Sequence, residues 1–243
     1  MKLSFKQIAG VLFLAVIAFA VYYFYDHFRT QTTTEKIAAI IHGEDLRKLT
    51  GRLEQYLKDD SLSVRQRAAL AIGRIGGDKG AELLFEALND PSLDVAGTAA
   101  FALGLTGAKQ YAHRLLDEIS EMPGSVAARA VEAVGRIADS ADADIHAQLS
   151  AFLDDPSPEV REAACFALYL TRAKEQSAAI IGLLATESDS LVQRKALFAL
   201  ARLGCADAAP VFFRYLADAD PYLRSLSVRG LSQSRDPQAL QYL

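Results

Sequence analysis

Asp155-Pro156-Ser157-Pro158-Glu159-Val160-Arg161-Glu162-Ala163-Ala164-Cys165-Phe166-Ala167-Leu168 is the stretch whose reading decides the fold. An acid and a proline end one helix, a short turn follows, and Val160 opens a second helix rich in alanine and leucine. The pattern recurs along the chain. Aligned on the valine, the column reads Val64, Val95, Val126, Val160, Val192 and Leu223, at spacings of 31, 31, 34, 32 and 31 residues. Four residues on stand Ala68, Ala99, Ala130, Ala164, Ala196 and Ser227; seven on, Ala71, Ala102, Ala133, Ala167, Ala199 and Gly230. Eight on come Ile72, Leu103, Val134, Leu168, Leu200 and Leu231, and five before the valine there is always an acid: Asp59, Asp90, Glu121, Asp155, Glu187, Asp218. Such agreement marks a repeat protein.

One helical hairpin cannot bury both of its apolar faces, so neighbours must stack into a continuous core. Alanine in the fourth and seventh columns lets helices approach closely, and the larger residue in the eighth fills the groove between them. No strand-like alternation persists anywhere, so the class is all-α. The formal net charge of −4 becomes −6 once residues 1–29 are set aside, with 23 basic against 29 acidic groups. A mildly acidic body argues against nucleic acid as a partner, since phosphate neutralisation needs a basic surface. Cys165 and Cys205 form neither a disulfide framework nor a CxxC pair, and they stand where small packing residues are ordinary.

The amino-terminal part reads differently. Ile8 to Tyr25 is an uncharged run of 18 residues, as a helix about 27 Å long and close to the thickness of a bilayer's hydrocarbon. Tyr22, Tyr23 and Tyr25 cluster at its far end, where amphipathic rings favour the membrane interface. The expectation is therefore one N-terminal transmembrane helix, a single-pass membrane protein with its repeats outside the cytoplasm. The competing reading is a secretory signal cleaved after Ala20, at Ala18-Phe19-Ala20. Thr30 to Thr34 is a polar linker, and Thr34 is expected to cap a short helix that begins at Glu35 and ends before Gly43. The organisation expected is thus 1–29 membrane anchor or signal-anchor, 30–43 linker and short capping helix, and 44–243 six repeats. The start of a seventh is expected at Asp236-Pro237. Gly76, Gly107 and Gly204 are expected to close three second helices in a left-handed conformation.

The unit resembles the HEAT repeat, in the short variety also seen in phycobilisome lyases. Ser63-Val64-Arg65 with Ala71-Ile72-Gly73-Arg74-Ile75-Gly76, and Asp155-Pro156 through Leu168, are similar to that family's Asp-Pro, Val-Arg and Ala-Leu-Gly-x-Ile-Gly signature. The resemblance covers 44–243 and implies a right-handed α-solenoid of stacked helical hairpins. Tetratricopeptide repeats have a similar period, but their Trp/Tyr-Gly-Tyr pattern is missing. The third repeat departs most, with Met122-Pro123-Gly124 in its turn, and the sixth carries Ser227, Gly230 and Ser232.

No catalytic constellation emerges. Iron-binding relatives carry His-Glu pairs, and none of His27, His42, His113 and His146 is followed by Glu. These histidines read as solvated or capping residues, and neither metal nor cofactor is expected. There is no nucleophile with a nearby His and no phosphate-binding loop. The turn acids read as caps and acceptors of backbone amides.

The positions three and ten residues after the valine share one side of the second helix. In the first, third and fifth repeats both are basic: Arg67 and Arg74, Arg129 and Arg136, Lys195 and Arg202, with Phe101, Phe166 and Phe198 near them in angle. One reading is a groove for an acidic or extended peptide segment. The other is that these cations pair with turn acids of neighbouring repeats. Together these features imply a non-catalytic, membrane-tethered scaffold that binds protein partners. The alternative is the targeting arm of a longer enzyme, for example a peptidyl-prolyl isomerase.

Overall fold

Helical hairpins follow one another from Gly51 to Ser234 in the computed structural model, which describes residues 14–22, 31–234 and 239. Residues 14–22 form α1, and α2 spans Thr33–Asp45. The hairpins then pair α3 (Gly51–Tyr56) with α4 (Leu62–Ile75) and α5 (Asp78–Ala87) with α6 (Leu93–Leu103). They continue with α7 (Ala112–Ile119) and α8 (Gly124–Ile137), then α9 (Ala143–Ala151) and α10 (Pro158–Leu170). The last pairs are α11 (Ser177–Thr186) with α12 (Ser190–Leu203), and α13 (Ala209–Tyr215) with α14 (Pro221–Ser234). Among the described residues there is no strand.

The second helices form the spine. α4, α6, α8, α10, α12 and α14 each pack on the next, and each first helix leans on its own second helix. Every member of the valine column and of the columns four, seven and eight residues on is buried. α2 packs on α4 as α4 packs on α6, and its Ile40 is fully buried, so the row of second helices gains one more member at this end. The repeats are thus covered by a helix of the chain's own making.

Two helix starts differ from expectation. α10 opens at Pro158 rather than Val160, because proline in the first turn lacks only a donor that would be orphaned there anyway. α2 is capped by Thr32, not Thr34. The Thr32 Oγ1 accepts from the Glu35 amide at 3.3 Å while the Glu35 carboxylate accepts from the Thr32 amide at 2.9 Å. That reciprocal box needs Glu three residues after the cap, and only Thr32 has it. The helix then runs through Gly43 to Asp45.

The single-pass location expected from residues 8–25 is corrected: among the described residues no helix is long and apolar enough to cross a membrane. The rest of the apolar run, 8–13 and 23–25, lies outside the described residues, as do His27 and the Asp236-Pro237 start of a seventh unit.

Of the three glycines expected to close second helices, each twelve residues after the valine, Gly76 caps α4 and Gly204 caps α12, but α6 ends at Leu103 and Gly107 lies in the turn beyond it; Gly204 is left-handed with ψ 45°, whereas Gly76 has ψ −165°. Gly76, Gly107 and Gly204 all have positive φ, at 80°, 71° and 66°. The fourth repeat carries Arg172 at this position, one residue past the Thr171 cap of α10, with φ 61°, where an L side chain costs about 1–2 kcal/mol. Arg172→Gly is therefore expected to raise stability by about 0.5–1 kcal/mol after the larger unfolded-state entropy of glycine is counted. Urea denaturation checks this, and a variant less stable than wild type would refute it.

The turn acids accept backbone amides of their own turns, which fulfils one of the two expected roles; the N-cap positions of α4, α6 and α10 are Ser61, Ser92 and Ser157, and the acids bond to the amides of these cap residues. Asp59, Asp90, Asp155 and Asp218 each accept the backbone amide two residues on, at 3.0, 2.9, 2.8 and 2.8 Å. Some also tie repeats together through the arginine that follows the valine. Arg65 grips Asp90 of the next turn through Nε and Nη2 at 2.7 and 3.1 Å. Arg161 grips Glu187 at the same two distances, 2.7 and 3.1 Å. The remaining nitrogen, Nη1, donates to carbonyls of the arginine's own turn: Asp59 and Asp60 for Arg65, Asp155 and Pro156 for Arg161. One side chain thus closes its own turn and clamps the neighbour's. The second repeat has Ala96 and the third Ala127 at this position, so the clamp does not repeat there.

Candidate functional site

Stacking brings the positions three and ten residues after the valine onto one face of the second-helix row, but it treats the three basic pairs differently. In the first repeat the pair is closed. Glu44, in the last turn of α2, places Oε2 2.5 Å from Arg67 Nη2 and Oε1 2.8 Å from Arg74 Nη1. Burial pushes the Glu44 carboxyl up, but the hydrogen bonds from Arg74 and Arg67 outweigh it and hold it below the usual carboxylate range.

In the third repeat, Arg136 is held by Glu132 one turn earlier at 2.6 Å. Its guanidinium lies over the rings of Phe101 and Phe166, 5.7 and 6.0 Å from their centroids. Arg129 is exposed and has no ion pair among the described residues. In the fifth repeat, Lys195 meets Glu162 at 3.2 Å and lies 4.8 Å over the Phe166 ring. Arg202 stands 5.6 Å over Phe198, exposed and likewise without an ion pair among the described residues. The expected six-residue array is therefore not uniform: Arg67 and Arg74 belong to an internal clamp, Arg136, Lys195 and Arg202 lie over aromatic rings, and Arg129 stands exposed on α8.

That aromatic group includes a residue missed in the sequence. Tyr169 lies edge-on to Phe198 at 5.1 Å and 5.9 Å from Phe166, and Phe166 and Phe198 stand 6.5 Å apart. The signal was there to see, because Tyr169 occupies the column where the first three repeats carry Gly73, Gly104 and Gly135. A bulky ring in place of glycine makes α10 present a half-buried aromatic surface to α12. Beside it a cleft of about 240 Å³ opens between α10, α12 and α14, lined by Glu162, Phe166, Lys195, Phe198, Leu191 and Tyr222. Leu191 and Tyr222 are 57% and 47% exposed, so two large apolar side chains face solvent at its rim. Arg194 lies over Tyr222 at 5.9 Å and pairs with Asp220 at 2.7 Å.

The reading in which these cations pair with turn acids finds its residues elsewhere. The turn acids take Lys36, Arg65 and Arg161, whereas the groove cations take Glu44, Glu132 and Glu162.

Other polar groups are structural. His113 Nε2 meets Asp142 Oδ2 at 2.9 Å, tying α7 to the start of α9. His146 is buried, with Nδ1 on Glu175, which corrects its reading as a solvated residue: packing of α9 against the following turn encloses the ring. Burial pushes the Cys165 thiol far up and that of Cys205 up to about 11, so neither is a thiolate at neutral pH. Among the described residues no cluster of three or more His, Cys, Asp or Glu could hold a metal ion.

Comparison with known proteins accords with this architecture. Residues 49–117, 112–193 and 177–243 match the family described as HEAT repeats. YibA of Escherichia coli superposes with a TM-score of 0.64 at 20% identity, over 88% of this chain and 81% of that one. An engineered protein gives a TM-score of 0.52 at 20% identity, over 79% of this chain and 96% of its own. The complex of CpcE and CpcF of phycocyanin lyase from a Nostoc species gives 0.48 at 21% identity, covering 88% of each chain. The first two show a likeness of fold alone, and the third superposes too loosely to carry an argument. No curated protein matches the chain.

Proposed function

Since this chain belongs to the HEAT-repeat family, we propose that it is a non-catalytic scaffold that binds another protein on the face carried by α8, α10, α12 and α14. One observation carries the reading: Arg136, Lys195 and Arg202 ring the half-buried Phe166 and Phe198 on consecutive second helices. Cations over aromatic faces, beside exposed apolar side chains, have the composition of an interaction hot spot rather than of a merely solvated surface. A repeat stack supplies the extended surface that such binding uses. The acidic body supports a protein partner over nucleic acid.

Photo-crosslinking tests it. A benzoylphenylalanine at position 198 or 202 is expected to capture a defined partner in the cells of origin, and one at 86 or 117, on exposed positions of first helices, is not. The partner is identified by mass spectrometry, and its capture from position 198 is expected to fall when Lys195 and Arg202 are both changed to Glu. Adducts that form only from the first helices, or none at 198 and 202, would overturn the reading.

A further inference from the structure

Resting on that reading, we propose that the occupant of this face is an extended acidic segment of the partner. It sets one bulky apolar side chain into the cleft between α10, α12 and α14, and it places a carboxylate on each of Arg129 and Arg202.

The chain itself displays the chemistry. In the first repeat the two equivalent cations are bridged by one carboxylate, with Glu44 giving an oxygen to Arg67 and the other to Arg74. The positions three and ten residues after the valine therefore present nitrogen donors that a single acidic side chain can satisfy together. In the third and fifth repeats each pair is half satisfied. Glu132 takes Arg136 and Glu162 takes Lys195, which leaves Arg129 and Arg202 exposed and without ion pairs among the described residues. Two unmatched guanidinium groups on a chain of net charge −4 form a local field that selects against basic partners and for carboxylates.

The cleft supplies the apolar half. At about 240 Å³ it falls below the roughly 300–1,000 Å³ of small-molecule pockets, and it suits a single large side chain. Phe166, Phe198, Leu191 and Tyr222 give it apolar walls, and Lys195 and Arg194 stand at its edge. An aromatic ring seated there would meet ring edges and cations of the kind that already cluster around Phe166.

Spacing gives the register. Arg129 on α8 and Arg202 on α12 are separated by two helix-to-helix steps of about 9 Å and by seven residues of rise, near 10 Å, for a separation of about 20 Å. An extended chain advances about 3.3 Å per residue, so the two carboxylates stand roughly six residues apart. The cleft opens at the first turns of α12 and α14, with Leu191 and Tyr222 at its rim, so the apolar side chain is set to one side of the line that joins the two cations. A helical segment would cover only about 9 Å in the same number of residues and would need about thirteen to reach both cations.

The test uses fluorescein-labelled peptides on a glycine-serine background, with two glutamates about six to nine residues apart and a phenylalanine moved through the positions between and beside them. They are titrated against the full chain at low and at raised salt. The acidic peptide is expected to bind at low salt and to weaken as salt is raised. Replacing both glutamates by lysine, or the phenylalanine by alanine, should each weaken binding by about tenfold or more. The double variant Arg129→Glu with Arg202→Glu should lose the acidic peptide and gain the lysine one. Both arginines are exposed and without ion pairs among the described residues, so a circular-dichroism melt should show the variant folded. Tyr222→Ala should weaken only peptides that keep the phenylalanine. Equal binding of acidic and lysine peptides, no binding of the acidic peptide at about 1 mM, or unchanged affinity of the double variant would each overturn the proposal. If crosslinks form at 198 and 202 while the peptides fail, the scaffold reading stands and this occupant is wrong; if the crosslinks fail too, both fall.

Discussion

Arg161→Ala is expected to destabilise the chain by about 3 kcal/mol, because it leaves a buried carboxylate with no cation. The Glu187 side chain is 3% exposed and that of Arg161 18%. The arginine also donates to the carbonyls of Asp155 and Pro156, so its loss opens its own turn as well. By contrast Arg194→Ala, which breaks the more exposed pair with Asp220 at 45% and 19%, should cost no more than about 1 kcal/mol.

The pair also sets a pH dependence. The hydrogen bond from the Arg161 guanidinium holds the Glu187 carboxyl below the usual carboxylate range, against the upward push of burial. A group whose folded pKa is depressed binds its proton more readily when unfolded. Its stabilisation is therefore present above the unfolded value of about 4.3 and is lost as pH falls through the lower folded value. In the Arg161→Ala chain, protonation of Glu187 relieves the unpaired charge, so the gap between the two proteins should be widest at neutral pH and narrow below about pH 4. Urea denaturation at several pH values measures it. A gap under about 1 kcal/mol at pH 7, or one that does not change with acid, would show that the clamp is not what joins these repeats.

Gly135→Leu should be comparably damaging, at about 3 kcal/mol, the upper end of overpacking costs. α8 and α10 approach so closely that even a Cβ at Gly135 would lie 2.6 Å from the Ala167 Cα and 2.7 Å from its Cβ. Neither atom can move without shifting the α10 backbone. Gly73 makes the same approach, with a Cβ falling 2.5 Å from the Ala102 carbonyl oxygen. At Gly97, also within a second helix, an added Cβ meets nothing within 4 Å, and alanine there should instead stabilise by about 0.5–1 kcal/mol. A thermal melt of Gly135→Leu that coincides with wild type would refute the close-packing account.

Much of the architecture was legible in the sequence by itself. The recurrence of valine, alanine and leucine determines which faces are buried, since a hairpin that cannot bury both faces alone must stack. The same columns place the turns, because the Asp five residues before the valine and the Gly twelve after it follow from local backbone requirements. The two basic positions on one side of the second helix follow from helical geometry alone. What only the tertiary structure decided depends on residues brought together from different repeats. Arg161 and Glu187 are 26 residues apart, and nothing in either turn announces the partner. Glu44 lies in a helix that the sequence ended too early, so its closure of Arg67 and Arg74 was invisible. Tyr169 reads as an ordinary helix residue until the facing helix brings Phe198 to its edge. Local pattern fixes each helix and its inner face; which charges remain free on the outer face is settled by stacking, because a carboxylate from one repeat satisfies a cation of the next.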